Sequence, residues 1–428
     1  MSRLVSDPSV SAHNKKGLLL AGAFFAFAVG LAVARVGLVG EAAGIRLSAV
    51  YVMHDFYTVA YNPVRAVLEG RSPYDVGYPP FAPTHLLVHL PFGLLPPRSA
   101  AFAYFVVNVL LAIPLAKLAL RLVRVKSEPT QVLVVAAAIL LSRPGHWTLL
   151  VGQVSILLAA LAYFAFLHNA SHPILAGSAL SLTMFKPTYG VPLALLFWAW
   201  GRRTTAALGV GLAALVNIPL IALLAAREGG LRQLIGAALS AYEEFDKLVD
   251  PLSAKGRTDL SSLISRFIGV PLSPFEQVAL TAAVLLISVA VLRLLAKHAT
   301  QNADALAIGI ICLATSLVGY HQGYDLVLLA APFLAVIMPT SSMEMPRGLR
   351  AIVIALFSIL ALNWISTESV IAALRPSPSV LLVITSVNGL CVALLFLIFV
   401  VLGSRYHRRK GQPRSSDLES IPESRVIA

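Results

Sequence analysis

Ser48 to Leu90 reads SAVYVMHDFYTVAYNPVRAVLEGRSPYDVGYPPFAPTHLLVHL, a stretch dense in groups that exchange protons or offer an aromatic face. Asp55 stands beside His54, with Tyr57 and Tyr78 following. Helical spacing over Leu47–Glu69, kinked at Pro63, puts Asp55 on one face with Tyr51, Thr58 and Asn62. Met53, Ala60, Val64 and Val67 take the other side, so the segment is expected to lie in the membrane interface with its carboxylate toward water. A carboxylate set against a histidine and aromatic rings is a candidate for shifted proton affinity, and hence for chemistry. The plainer reading of Asp55 is a solvated loop residue. Asp75, in a turn after Pro73-Tyr74, has an ordinary local role.

Three further groups accompany it. Lys186 precedes Pro187 at a break between short apolar segments, where an ionisable residue is a functional suspect unless it snorkels to the surface. GYHQGYD places Tyr320, His321 and Tyr324 together, with Gln322 and Asp325 beside them. RPGH running on to Gly152-Gln153 adds Arg143 and Gln153. The candidate substrate-binding set is thus His54, Tyr57, Tyr78, Arg143, Gln153, Lys186, Tyr320, His321 and Tyr324. Arg257 and Arg266 are weaker candidates, since loop arginines usually face water or head groups. Glu243, Glu244 and Asp246 read as a solvated helix face, and no metal is expected.

The elements that must position these groups are membrane helices. The chain has 428 residues, 58% hydrophobic and only 12% charged, and its mean hydropathy is +0.81. That composition predicts an all-α polytopic membrane protein, since a span needs about 20 apolar residues. About twelve spans are expected, near Gly17–Val39, Ala100–Leu120, Val132–Leu141, Ser155–Leu167, Pro173–Met184 and Pro187–Trp200, then Thr204–Ala226, Phe275–Ala296, Ala305–Leu317, Leu326–Met338, Ala351–Trp364 and Val380–Leu402. Several central ones are short, as happens where helix breaks line a protected cavity. The first run reads as an uncleaved signal anchor. Cys312 and Cys391 fall inside apolar segments as small core residues.

Most of the 33 Lys and Arg, including Lys117–Lys126, Arg202-Arg203 and Arg405–Lys410, fall on the side that holds both termini. The positive-inside rule makes that side cytoplasmic. The net charge of +13 is then a topology signal and not a nucleic-acid footprint. Two outer loops follow, over 40–98 and 227–274, with interfacial helices expected in them. Residues 1–402 form one membrane domain, and 403–428 are expected to be a disordered basic cytoplasmic tail. The candidate residues all gather on the outer face, which suits a surface-facing enzyme.

HDFYTVAYNPVRAVLEGRSPYD, then YPPFAPTHLLVHLPFGLLP, VGQVSILLAALAYFAF and MFKPTYGVPLALLFWAWGRR, resemble the sequence blocks of glycosyltransferase family 87. The likeness thins after Trp200 and returns at GYHQGYDLVLLAAPFLA. It implies a GT-C fold in the plasma membrane, an outer-face active site and a polyprenyl-phosphate sugar donor, mannose in the best-known members. By that resemblance Asp55 is the base and His321 contacts the donor phosphate. GT-C enzymes commonly pair two acids in the first loop; His54 takes the neighbouring place here.

Glycosidic-bond formation needs a base at the acceptor hydroxyl and a stabilised leaving phosphate. Asp55 fits the first role, and His321, Lys186 and Arg143 are available for the second. A single base with no covalent partner implies inversion. No cofactor is expected, because the sequence has no Gly-rich nucleotide-binding element. The partners implied are membrane lipids, the lipid-linked sugar and a lipid or glycan acceptor. A lipid or solute transporter or flippase is the alternative; it would call for internal repeats and mid-membrane charges. A non-catalytic scaffold would leave Asp55 replaceable.

Overall fold

The computed structural model of the chain describes residues 8–41, 52–78, 81–252, 254, 256–298, 300–338 and 343–411. Helix α1 spans Pro8–Glu41; a π-helical turn, Phe56–Tyr61, leads into α2 (Asn62–Leu68) and α3 (Thr84–Gly93). Then come α4 (Pro97–Leu122), α5 (Pro129–Leu141), α6 (Arg143–Val151), α7 (Ser155–His168), α8 (Pro173–Thr183) and α9 (Pro187–Ala199). The second half holds α10 (Arg203–Arg227), α11 (Leu231–Leu248), α12 (Leu260–Ile268), α13 (Pro274–Leu295) and α14 (Gln301–Leu317). A 3-10 stretch, Gly323–Leu329, runs into α15 (Ala330–Ile337), followed by α16 (Arg347–Leu362), α17 (Glu368–Leu374) and α18 (Pro378–Gly411). Among the described residues there is no strand.

Local sequence explains the helix starts. Proline opens α4, α5, α8 and α9, where its missing N–H costs nothing and its fixed φ suits the first turn. Ser273 and Glu276 close a capping box on α13, and Asp259 caps α12.

Six helices are long and apolar enough to cross a membrane, or seven if α5 and α6, bent by 68°, form one span. All twelve expected segments are helical, but six of them are too short to count as independent spans by length. By length and composition, six or seven of the expected twelve spans are supported. Outward faces are apolar, with Leu19, Phe27, Leu215, Ile218, Leu286 and Val383 exposed. The interior is rich in small residues such as Ala112, Ala116, Ala136, Ala159 and Ala162. Small residues let helices approach closely without a hydrophobic driving force. Gly177 of α8 and Gly209 of α10 make this concrete: a Cβ on Gly177 would sit 2.6 Å from Leu208 Cβ. Cys312 and Cys391 are free thiols in the core, as expected.

The expected helix over Leu47–Glu69 begins, among the described residues, at His54, and Tyr51 and Pro79-Pro80 lie outside them. Glu243, Glu244 and Asp246 are exposed on amphipathic α11, as read from sequence. The last helix runs to Gly411, so residues 403–411 of the expected tail are helical, and the rest lies outside the described residues.

Candidate active site

Six segments far apart in the chain bring charge together at one end of the bundle. Met53 takes φ 55 and its amide bonds Leu150 O at 2.8 Å, tying the first loop to the end of α6. Asp55 follows two residues on and is half-buried. The π-helical turn after it widens the backbone, a feature that recurs at functional sites. Gly152 ends α6 with φ +77, and a Cβ there would lie 2.6 Å from Phe56 Cβ. Only glycine accepts both demands. The turn aims Gln153 at Asp55: Gln153 Nε2 donates to Asp55 Oδ2 at 2.6 Å. Among the described residues nothing donates to Asp55 Oδ1, while Gln153 Oε1 is buried and unpartnered.

Behind this pair lies a buried ion cluster. Lys186 Nζ bonds Asp325 Oδ1 at 2.7 Å and Oδ2 at 2.8 Å, with the two side chains 3% and 1% exposed. Ser155 Oγ donates to Asp325 Oδ1 at 2.8 Å, and His321 Nδ1 meets Oδ2 at 3.0 Å. His321 Nε2 lies 3.1 Å from Thr188 O, so both ring nitrogens are engaged and the ring is fully buried. The break carrying Asp325 is held by Tyr163 of α7, whose hydroxyl donates to Leu328 O at 2.6 Å and accepts from Ala331 N at 2.8 Å. Backbone polar groups freed by a helix break must be satisfied inside the protein. Here one tyrosine does so twice.

The two carboxylates are driven apart. Burial pushes the Asp55 carboxyl above the usual carboxylate range, an effect only partly offset by the Gln153 hydrogen bond and by His54 and Lys186. Burial acts on Asp325 in the same direction but is overwhelmed by the Lys186 ammonium and the His321 hydrogen bond, which hold it well below that range.

The 249–260 loop closes one side. Thr258 N bonds His321 O at 2.9 Å and Gly323 N bonds Gly256 O at 2.9 Å, with Arg257 paired antiparallel to Gln322. Arg257 forks onto Asp259 at 2.9 and 3.0 Å and lies over the half-buried Tyr320 ring, 5.1 Å from its centroid. Arg266 donates to four backbone carbonyls, of Pro251, Ala254, Arg257 and Thr385. Both arginines organise the loop, a firmer role than the solvated one read from sequence. On another side His85 and His89 are buried, His89 pushed down to about 4 by desolvation, and both rings pack near Phe185.

The structure gathers Asp55, Gln153, Lys186, Tyr320, His321 and Tyr324, the last facing Lys186 Nζ at 5.4 Å from its ring centroid. His54 is exposed beside Asp55. Tyr57 turns away to donate to Pro97 O, and Tyr78 is buried with its hydroxyl on Ala82 O. Arg143 stacks on Trp147, one layer out from the ion cluster. Asp325, Ser155 and Trp147 were absent from the expected set. A signal for Asp325 existed, since a lysine at membrane depth demands a counter-charge and His321 and Asp325 are four residues apart.

Neither the curated proteins nor the solved structures gave a match to this chain. Residues 77–332 match the model of glycosyltransferase family 87. That range takes in Gln153, Lys186, His321 and Asp325, and Asp55 precedes it. Because the match covers more than half of the chain and its charged cluster, the chain belongs to glycosyltransferase family 87 and is a membrane-helical glycosyltransferase.

Proposed function

We propose that the chain moves a sugar, mannose in the members it resembles, from a polyprenyl-phosphate donor to a lipid or glycan acceptor at the outer face of the plasma membrane. The observation that carries this reading is the divergence of two neighbouring carboxylates. Asp55 is partly open, one oxygen steadied by Gln153, and its proton affinity is raised; Asp325 is sealed against Lys186 and His321, and its affinity is lowered. Environments that push two acids apart assign their roles. Asp55 is the base and Asp325 the counter-ion.

The acceptor hydroxyl gives its proton to Asp55 as its oxygen bonds to the anomeric carbon. The bond from that carbon to the phosphate oxygen breaks, and its electron pair leaves with the phosphate. A single displacement inverts the centre, so a β-linked phosphosugar yields an α-glycoside. Lys186 supplies positive charge at the leaving side; its ammonium has three donors, two of them given to Asp325. His321, with both nitrogens occupied, holds Asp325 and through it Lys186, in place of the direct phosphate contact that the resemblance implies.

The test is a transfer assay on purified protein with a panel of polyprenyl-phosphate sugars. Transfer from one of them with inverted product is the expected result. Movement of intact lipid across vesicles with no transfer from any donor would favour a flippase instead.

A further inference from the structure

Two guanidinium groups converge on one indole away from the ion cluster. Arg35 of α1 lies 5.1 Å from the Trp364 ring centroid, and Arg143, at the start of α6, lies 5.9 Å from it. Arg143 also stacks on Trp147 at 4.2 Å. His146 sets its ring 5.1 Å from Trp364, within electrostatic range of both arginines. It is 2% exposed, and its Nε2 has no hydrogen-bond partner. Arg35, Trp147 and Trp364 are only half-buried, so the cluster stays open on one side.

Arg35 belongs to the span Lys15–Val36, and among the described residues no carboxylate pairs with it. A charge within a span is costly unless a partner satisfies it. An oxyanion satisfies it. Guanidinium forks match phosphate oxygens, a helix N-terminus favours negative charge, and His146 offers one more polar atom.

We propose that Arg35, Arg143 and His146 form a subsite for the phosphate of a membrane lipid, separate from the Lys186 centre. Trp147 joins the two: its ring lies 5.4 Å from that of Tyr324, which faces Lys186. A lipid phosphate entering from the α1 side meets this subsite before the ion cluster. That the lipid is a substrate rests on the proposed function; that its headgroup is a phosphate does not.

The full chain, purified in detergent, is titrated with polyprenyl monophosphate in one arm and phosphatidic acid in the other, with binding read by native mass spectrometry. Arg35→Gln is expected to weaken binding by about tenfold or more, the scale of a lost charge-assisted contact. Arg35→Lys should weaken it less, and Arg232→Gln, at an exposed position of α11, should leave it unchanged. Loss in the polyprenyl arm alone supports a substrate subsite, and loss in both arms supports a general lipid-phosphate site. Unchanged binding in both arms by folded Arg35→Gln and His146→Ala proteins overturns the proposal. Arginine-dependent binding without sugar transfer from any donor would leave the subsite standing and remove the proposed function.

Discussion

Asp55 and Asp325 have the same side chain and opposite environments, and the consequence is measurable. Asp55→Asn keeps shape and hydrogen bonding while removing basicity, so turnover should fall by at least about a hundredfold with folding intact. The base must be deprotonated to act, and its raised proton affinity places the acid limb of kcat/KM above the usual carboxylate value of about 3.9. Activity should therefore rise with pH through that limb; a limb at or below the ordinary value would exclude Asp55 as the titrating group. Asp325 is tested by stability. Lys186→Met removes the ammonium that faces its buried carboxylate, a loss of about 3–5 kcal/mol. Adding Asp325→Asn should return much of that, and a double variant no more stable than Lys186→Met would sink the pairing. Sequence made Asp55 and Lys186 visible because charge is rare in apolar surroundings. It did not pair Lys186 with Asp325, because a separation of 139 positions gives no local pattern.

Helix breaks do the positioning at the next scale. The turn at Gly152, the Thr183–Pro187 connection and the 3-10 stretch from Gly323 each deliver a polar group to the site. These breaks were legible as short apolar runs with proline or glycine between them. The π-helical turn after Asp55 was not: no residue type announces it, and its Phe56 packs against Tyr104, with ring centroids 4.6 Å apart. Gly152→Ala tests the turn directly. A left-handed residue with a Cβ pressed on Phe56 should cost about 1–3 kcal/mol and displace Gln153. Turnover should drop more than KM rises, and unchanged kcat in a destabilised protein would detach the turn from catalysis.

At the scale of the molecule, residues that charge counting assigns to the outer side do converge in one place. Asp55, Gln153, Lys186, Arg257 and His321 share a single cluster of contacts. Hydropathy marked twelve helical segments, and length, not apolarity, separates α10, long enough to span by itself, from α8. The orientation itself is open to a direct test. A reporter fused after Val401 should read cytoplasmic and one inserted near Arg71 should read outside. Two reporters on the same side would remove the outer-face placement of the site.

The pairing of the 249–260 loop with the segment around Gln322 has a dynamic corollary. Irregular outer chain ordinarily swaps its amide hydrogens with solvent quickly, since nothing holds them. Thr258 and Gly323 donate theirs across the bridge, in chain flanked by buried Arg257, Asp259 and His321. In deuterated buffer these two amides should retain protium on the timescale of the bundle's helices. Rapid deuteration at Thr258 and Gly323 would mean that the wall of the site opens on its own.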